Sequence, residues 1–205
     1  MIVTGLEELT KSRSRVSIDG EFAFVLYKGE LRHFHLRVGE EINEKDYETI
    51  MQEILPKRAK LRAMNLLLKK DYTTAKLREK LLLGGYPEEI VDMALEYVAS
   101  FHYVDDLRFA MDFIRCHQED RTRLRMEQDL RGKGISSEVI SRAFLAWEEE
   151  GGAQDEAGMI QKLFRKRGFD PETATTSEQN REYAFLMRKG FSSDSVRNAI
   201  FHSFT

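Results

Sequence analysis

The chain has 205 residues, 41% of them apolar and 33% charged, with 13 glycines and only three prolines. That apolar share supports a packed core and excludes wholesale disorder. The charge excess over the roughly 25% of an average domain asks for a large solvated surface, and so few prolines point to mostly helix. The 32 basic and 35 acidic residues nearly cancel, so their distribution carries more than their sum of −3. The single cysteine, Cys116, cannot form an internal disulfide, which fits a reducing cytosol. No apolar run approaches the ~20 residues that span a bilayer, and the first ten residues alternate polar and apolar, unlike a signal peptide. The expectation is a cytoplasmic protein without a membrane segment.

Near the N-terminus, Val16 and Ile18, then Phe22, Phe24 and Leu26, are apolar at alternate positions on either side of Asp19-Gly20. Period-two alternation across Asp-Gly predicts a hairpin, because both turn residues must tolerate positive φ. Lys28-Gly29 predicts a second turn, followed by a third strand over Leu31–Leu36. From Asn43 the period changes. Tyr47, Ile50, Met51, Ile54 and Leu55 form a helical stripe with Asn43 as N-cap and Asp46 at the box position, and Pro56 marks a boundary.

Beyond Pro56 the chain repeats itself. Leu81, Gly85, Tyr86, Glu89, Val91, Ala94 and Val98 find counterparts 49 residues on in Leu130, Gly134, Ile135, Glu138, Ile140, Ala143 and Trp147. A weaker third copy holds Leu186, Gly190, Phe191, Asp194, Ala199 and Ile200, with Ser195 and Ser203 at apolar positions. Each unit reads as three helices: 58–69, 73–83 and 87–99; 105–118, 121–132 and 136–149; 154–167, 178–189 and 192–203. The glycine before each third helix suits a left-handed C′ residue, and Pro87, Ser136 and Ser192 open those helices. The fold class is therefore mainly α, with tandem three-helix repeats forming an elongated curved array and a small N-terminal β-hairpin or meander. The division is 1–55, then units over 56–101, 102–150 and 151–205.

Several segments resemble one family. Val16, Ile18, Asp19, Gly20, Phe22 and Phe24, then Leu36-Arg37-Val38-Gly39-Glu40-Glu41-Ile42, resemble the start of RecX-type recombination regulators. Ala75-Lys76-Leu77-Arg78-Glu79-Lys80-Leu81 with Gly85-Tyr86 is similar to that family's second-helix signature in its first unit. Tyr103-Val104-Asp105-Asp106 with Phe109-Ala110, then Leu130-Arg131-Gly132-Lys133-Gly134-Ile135, resembles its second unit. The resemblance covers nearly the whole chain. Two stretches depart from the family pattern, Lys69 to Thr74 and Arg121 to Arg123, but both stay basic. The resemblance implies a regulator that binds RecA recombinase filaments on DNA and restrains their ATPase and strand exchange.

No catalytic constellation emerges, so the reading is not an enzyme, with no cofactor and no metal. His33 and His35 could share a strand face, but no further ligand is spaced to complete a site. Cys116 and His117 are neighbours on a helix and point about 100° apart. Asp105 and Asp106 suit a helix start, and Glu148 to Glu150 read as a solvated helix end. Gly84-Gly85 and Gly151-Gly152 lack the Lys-Ser/Thr context of phosphate loops.

Charge is the remaining signal. Residues 57–80 hold nine basic and two acidic residues, and residues 121–134 hold five and two. By contrast, residues 88–106 hold six acids and no base. The candidate basic stripe comprises Arg58, Arg62, Lys69, Lys70, Lys76, Arg78, Arg121, Arg123, Arg125, Arg131, Lys133, Lys162, Arg165 and Lys166. The plain alternative is charge pairing between neighbouring helices. Two functions follow. One is a monomeric regulator of a RecA-type filament, touching single- or double-stranded DNA weakly and without sequence preference. The other is a helix-turn-helix transcriptional regulator, opposed by Glu88, Glu89, Asp92 and Glu96 on the first unit's third helix, which phosphates would repel.

Overall fold

The computed structural model describes residues 1–201, which form a mainly helical chain with a three-stranded antiparallel sheet at its N-terminus. It divides into two compact units, Met1–Asp105 and Asp106–Thr205. Among the described residues no helix is long and apolar enough to cross a membrane.

The sheet runs β1 (Val3–Thr10), β2 (Arg13–Ile18), β3 (Glu21–Tyr27) in that order. The Asp19-Gly20 hairpin forms as its chemistry requires, with φ of 51° and 91°. The third strand is not the expected Leu31–Leu36, however. It is β1, whose outer half is exposed and polar, so its apolar alternation is too thin to read. Pairing makes it a strand: besides its ladder with β2, Asp19 Oδ1 accepts the Ile2 N–H at 2.8 Å and Thr4 Oγ1 accepts the Gly20 N–H at 2.9 Å. Lys28-Gly29 likewise opens no hairpin but begins helix α1 (Lys28–His33), where the Glu30 carboxylate accepts the Tyr27 N–H at 2.7 Å. His33 therefore ends a helix and His35 follows at φ 50°, so the two share no strand face.

Helix α2 (Glu44–Thr49) starts at Asn43, whose Oδ1 accepts the Asp46 N–H at 2.8 Å, as expected. Pro56 does not break the chain there. A π-helical turn, Ile50–Ile54, leads straight into α3 (Leu55–Leu67), with the proline in its first turn. The proline supplies no N–H to this continuous ladder, and the wider π turn leaves its ring room. Helices α4 (Thr74–Leu82) and α5 (Glu88–Ser100) complete the first bundle. One buried cluster runs from Val3 and Phe24 of the sheet through Leu55 and Leu81 to Val98 and Val104.

The second compact unit contains two further bundles with separate cores. Helices α6 (Asp106–His117), α7 (Arg123–Gly132) and α8 (Ser137–Glu149) enclose Ile114, Met126, Leu130 and Phe144. Helices α9 (Glu156–Arg167), α10 (Thr176–Lys189) and α11 (Ser193–Phe201) enclose Ile160, Phe164, Leu186 and Val196. Ser203 and the expected end of the last helix lie outside the described residues.

Gly85, Gly134 and Gly190 all take the left-handed conformation, at φ of 82°, 83° and 86°. Ser136 and Ser192 accept the N–H groups of Val139 and Ser195, at 3.3 and 3.2 Å. The second helices are capped in a way that the spacing did not suggest. Thr73, Thr122 and Thr175 each accept an N–H from three residues ahead, and Thr73 and Thr122 are buried while doing so.

Candidate nucleic-acid interface

In the first compact unit the expected basic stripe is partly consumed by its own acids. Arg58 is withdrawn from the surface. Its guanidinium donates to Glu30 Oε2 at 2.8 Å and to the Val25 carbonyl, and it lies over the rings of Tyr27 and Tyr86 at 4.9 and 5.6 Å. Burial pushes the Tyr86 phenol above its ordinary value against the opposing pull of that guanidinium. Arg78 pairs with Asp92 on α5, and Lys76 pairs with Glu79 at 2.8 Å. The Lys76 ammonium holds the exposed Glu79 carboxyl below its usual value. Lys70 lies over Tyr72 at 4.7 Å, and Arg62 and Lys69 are exposed.

The α6–α8 bundle repeats this pairing more densely. Arg123 reaches Glu127 at 3.2 Å and Glu148 at 2.6 Å, and covers Phe144 at 4.4 Å. Arg131 reaches Glu127 at 3.5 Å, and Lys133 lies over Phe109 and Phe113. Arg121 and Arg125 share Asp129, at 2.8 and 3.3 Å. The end of α8 is therefore no merely solvated run: Glu148 takes Arg123, and Glu150 takes Arg115 at 2.5 Å, which raises the Arg115 guanidinium further. Exposed pairs of this kind contribute only about 0–1 kcal/mol each. Their effect is to occupy the cations.

Around α9 and α10 the balance changes. A cleft of about 790 Å³ opens between these helices and the start of α7. Lys162 and Lys166 line it one turn apart on α9, and Arg188 and Lys189 line it from the end of α10. Lys162 meets Glu119 only at 4.0 Å, and Glu119 itself is exposed. Neither Lys166 nor Arg188 has an ion-pair partner among the described residues. Phe185 gathers its neighbours from both helices, with Arg167 over its ring at 4.0 Å and Lys189 at 5.6 Å. Arg167 in turn holds the buried Glu182 carboxylate at 2.9 and 3.1 Å. Arg165 lines a separate hollow beside Phe164 and Asp170.

Two polar ties fix the cleft's walls. The Thr122 hydroxyl donates to the Lys189 carbonyl at 2.9 Å. From the linker, Gln154 Nε2 donates to the carbonyls of Gln118 and Arg121 at 3.2 and 2.7 Å, and Gln154 Oε1 accepts the Arg123 N–H at 2.8 Å. Gly152 just before it does not loosen this linker. A Cβ on Gly152 would lie 2.2 Å from the Trp147 ring, so the chain is packed against α8. The charge pattern singled out Lys162, Lys166, Arg121 and Arg125, but missed Arg188, Lys189, Phe185 and Gln154. Two adjacent bases before Gly190 were the available signal.

Cys116 is exposed, and His117 turns to Asp120 at 3.3 Å and to the Phe113 ring. Among the described residues no group of three or more His, Cys, Asp or Glu side chains could hold a metal ion.

The family model described as the first three-helix domain of RecX matches residues 59–97, and that of its second three-helix domain matches residues 105–143. The regulatory protein RecX of Trichlorobacter lovleyi is 32% identical over 141 residues, covering 67% of this chain and 90% of that protein. That of Clostridium beijerinckii is 25% identical over 195 residues, covering 95% and 91%. A crystal structure of regulatory protein RecX superposes with a TM-score of 0.63 at 26% identity, covering 98% of this chain and 99% of the other. RecX from Lactobacillus salivarius, at 17% identity and a TM-score of 0.60, shares the fold over 73% of this chain and 96% of its own.

Proposed function

The chain belongs to the RecX family of regulatory proteins, and from that premise we propose that it binds RecA-type recombinase filaments on DNA and lowers their ATP hydrolysis and strand exchange. The observation that carries the reading is the match along nearly the full length of a regulatory relative, 95% of this chain against 91% of that protein. Several bundles in series suit such a target, since weak contacts joined by short linkers raise one another's effective concentration. No bond need be made or broken. A ligand that binds the less active state of the filament better than the active state shifts the population toward it. The cations on α9 and α10, with Arg62 and Lys69 on the first bundle, supply a DNA contact without sequence preference.

Charge opposes the major-groove alternative. Glu88, Glu89, Asp92 and Glu96 all face solvent on α5, and among the described residues only Asp92 is paired with a base, Arg78. A helix entering between phosphates needs the opposite sign. The decisive measurement is ATP hydrolysis by RecA recombinase on single-stranded DNA as this protein is added. The rate is expected to fall; an unchanged rate at a several-fold excess over the recombinase would overturn the reading.

A further inference from the structure

We infer that the cleft between α7, α9 and α10 is a seat for a single nucleic-acid strand, its phosphates held by Lys162, Lys166, Arg188 and Lys189. The inference deepens the filament reading and rests on it, because a DNA-borne filament is what brings a strand to the protein. It starts from a contrast in charge pairing. Most bases in the candidate stripe before α9 meet a carboxylate or an aromatic ring of their own bundle, whereas Lys166 and Arg188 meet no carboxylate among the described residues.

Like charges gathered in one concave site repel one another, and low-dielectric walls focus their field onto an incoming anion. The other cations of the cleft are already occupied: Asp129 neutralises Arg121 and Arg125 at its rim. Glu119 and Asp120 also line the cleft, Glu119 at 4.0 Å from Lys162, so what remains open on the α9–α10 wall is chiefly Lys166 and Arg188. The i,i+4 spacing of Lys162 and Lys166 puts both on one helix face, and Lys189 lies over the Phe185 ring at 5.6 Å.

The floor selects a strand over a duplex. Between the cations lie half-buried Leu163 and Phe185, whose ring already carries Arg167 at 4.0 Å and Lys189 at 5.6 Å, so a base would rest on Leu163 and the ring's uncovered edge. A duplex presents phosphates and sugars to such a floor and keeps its bases stacked inside. A single strand can lay an unstacked base on apolar and aromatic surface while its phosphates meet the lysines. The walls are also held in place before anything binds, because Gln154 ties the linker to the second bundle and the Thr122–Lys189 bond ties that bundle to the third. Little ordering cost then falls on the binding step.

The test is fluorescence anisotropy of a labelled oligothymidine with the full-length protein, over a range of salt. Lys166→Gln combined with Arg188→Gln is expected to weaken binding and flatten the slope of log affinity against log salt by about 1.4, at about 0.7 per single-strand phosphate contact. Lys76→Gln combined with Arg78→Gln removes the same charge from α4 and is expected to keep the parent's slope. The inference is overturned if the parent does not bind, if the cleft variant keeps its affinity and slope, or if both variants weaken equally. It is also overturned if duplex of equal length binds more tightly. Displacement of the oligonucleotide by tripolyphosphate at equal phosphate concentration would assign the cleft to free polyphosphate and overturn the strand. The recombinase ATPase assay on the parent separates the two readings: cleft-dependent strand binding without inhibition leaves the seat standing and ends the filament function, and inhibition without cleft-dependent binding does the reverse.

Discussion

The glycine turns at Gly85 and Gly190 have the same local conformation and the same place in their bundles, yet they meet different neighbours. A Cβ on Gly85 would lie 2.2 Å from Val25 Cγ2, on the strand against which the first bundle is packed. At Gly190 it would lie 2.8 Å from the Thr122 hydroxyl and 3.3 Å from Leu124, at the start of α7. One turn therefore docks its bundle on a sheet, the other on the preceding bundle. The cations follow the same division. Beside the sheet, Arg58 is drawn inward to Glu30 and Val25; beside the α9–α10 wall, Lys166 and Arg188 stay outward. A repeated motif thus acquires different roles from what it is set against, since packing and charge partners come from outside the repeat.

Gly85→Ala tests the comparison most severely. The substitution forces a side chain to φ 82° and into a buried valine. Left-handed strain of about 1–2 kcal/mol and overpacking of about 1–3 kcal/mol are both expected, with a large fall in melting temperature. Gly190→Ala should cost less, because its closest approach, to the buried Thr122 hydroxyl, is 2.8 Å against 2.2 Å at Gly85, and its other neighbour is an exposed leucine. Equal losses at the two sites would mean that the strain matters and the neighbour does not.

Arg58→Gln should cost about 1.5–3 kcal/mol, the range for hydrogen bonds to charged groups, whereas Arg62→Gln should leave the melting temperature nearly unchanged. Urea denaturation of both variants reads the difference, and a silent Arg58→Gln would return that residue to the surface stripe. Gln154→Ala removes three hydrogen bonds at the linker and is expected to lose about 1–2 kcal/mol. Faster amide exchange at Arg123, whose N–H it leaves unpaired, is the local signature.

The smallest effect concerns pH. Glu178 accepts from the hydroxyl and the backbone N–H of Thr175, which lowers its pKa in the folded chain. A lowered folded value means that its contribution is present above the ordinary carboxylate range and disappears as pH falls through the folded value. The parent should therefore lose a small increment of thermal stability as pH falls below about 4.5, and Glu178→Gln should lack that step, so that the two converge in acid. An identical acid profile would mean that the cap is not held in solution.

Much of this architecture was legible in the sequence. The period-49 repeat, the left-handed glycines, the Asp19-Gly20 hairpin and the Asn43 cap are set by neighbours within a few residues, and spacing records such neighbours directly. The same local reading erred where distant groups decided. Leu31–Leu36 reads locally as a strand, but Glu30 caps the start of helix α1 and is held there by Arg58, 28 residues on. Pro56 signals a break that the preceding π turn absorbs. The charge runs were visible as runs, but which base would find an acid was not. Arg123 meets Glu148 across 25 residues and Arg115 meets Glu150 across 35, while Lys166 and Arg188 meet none among the described residues. Spacing along a helix settles which face a side chain occupies. Which cations remain available to a partner is settled only when helices from different parts of the chain are packed together, because Coulomb attraction depends on separation in space.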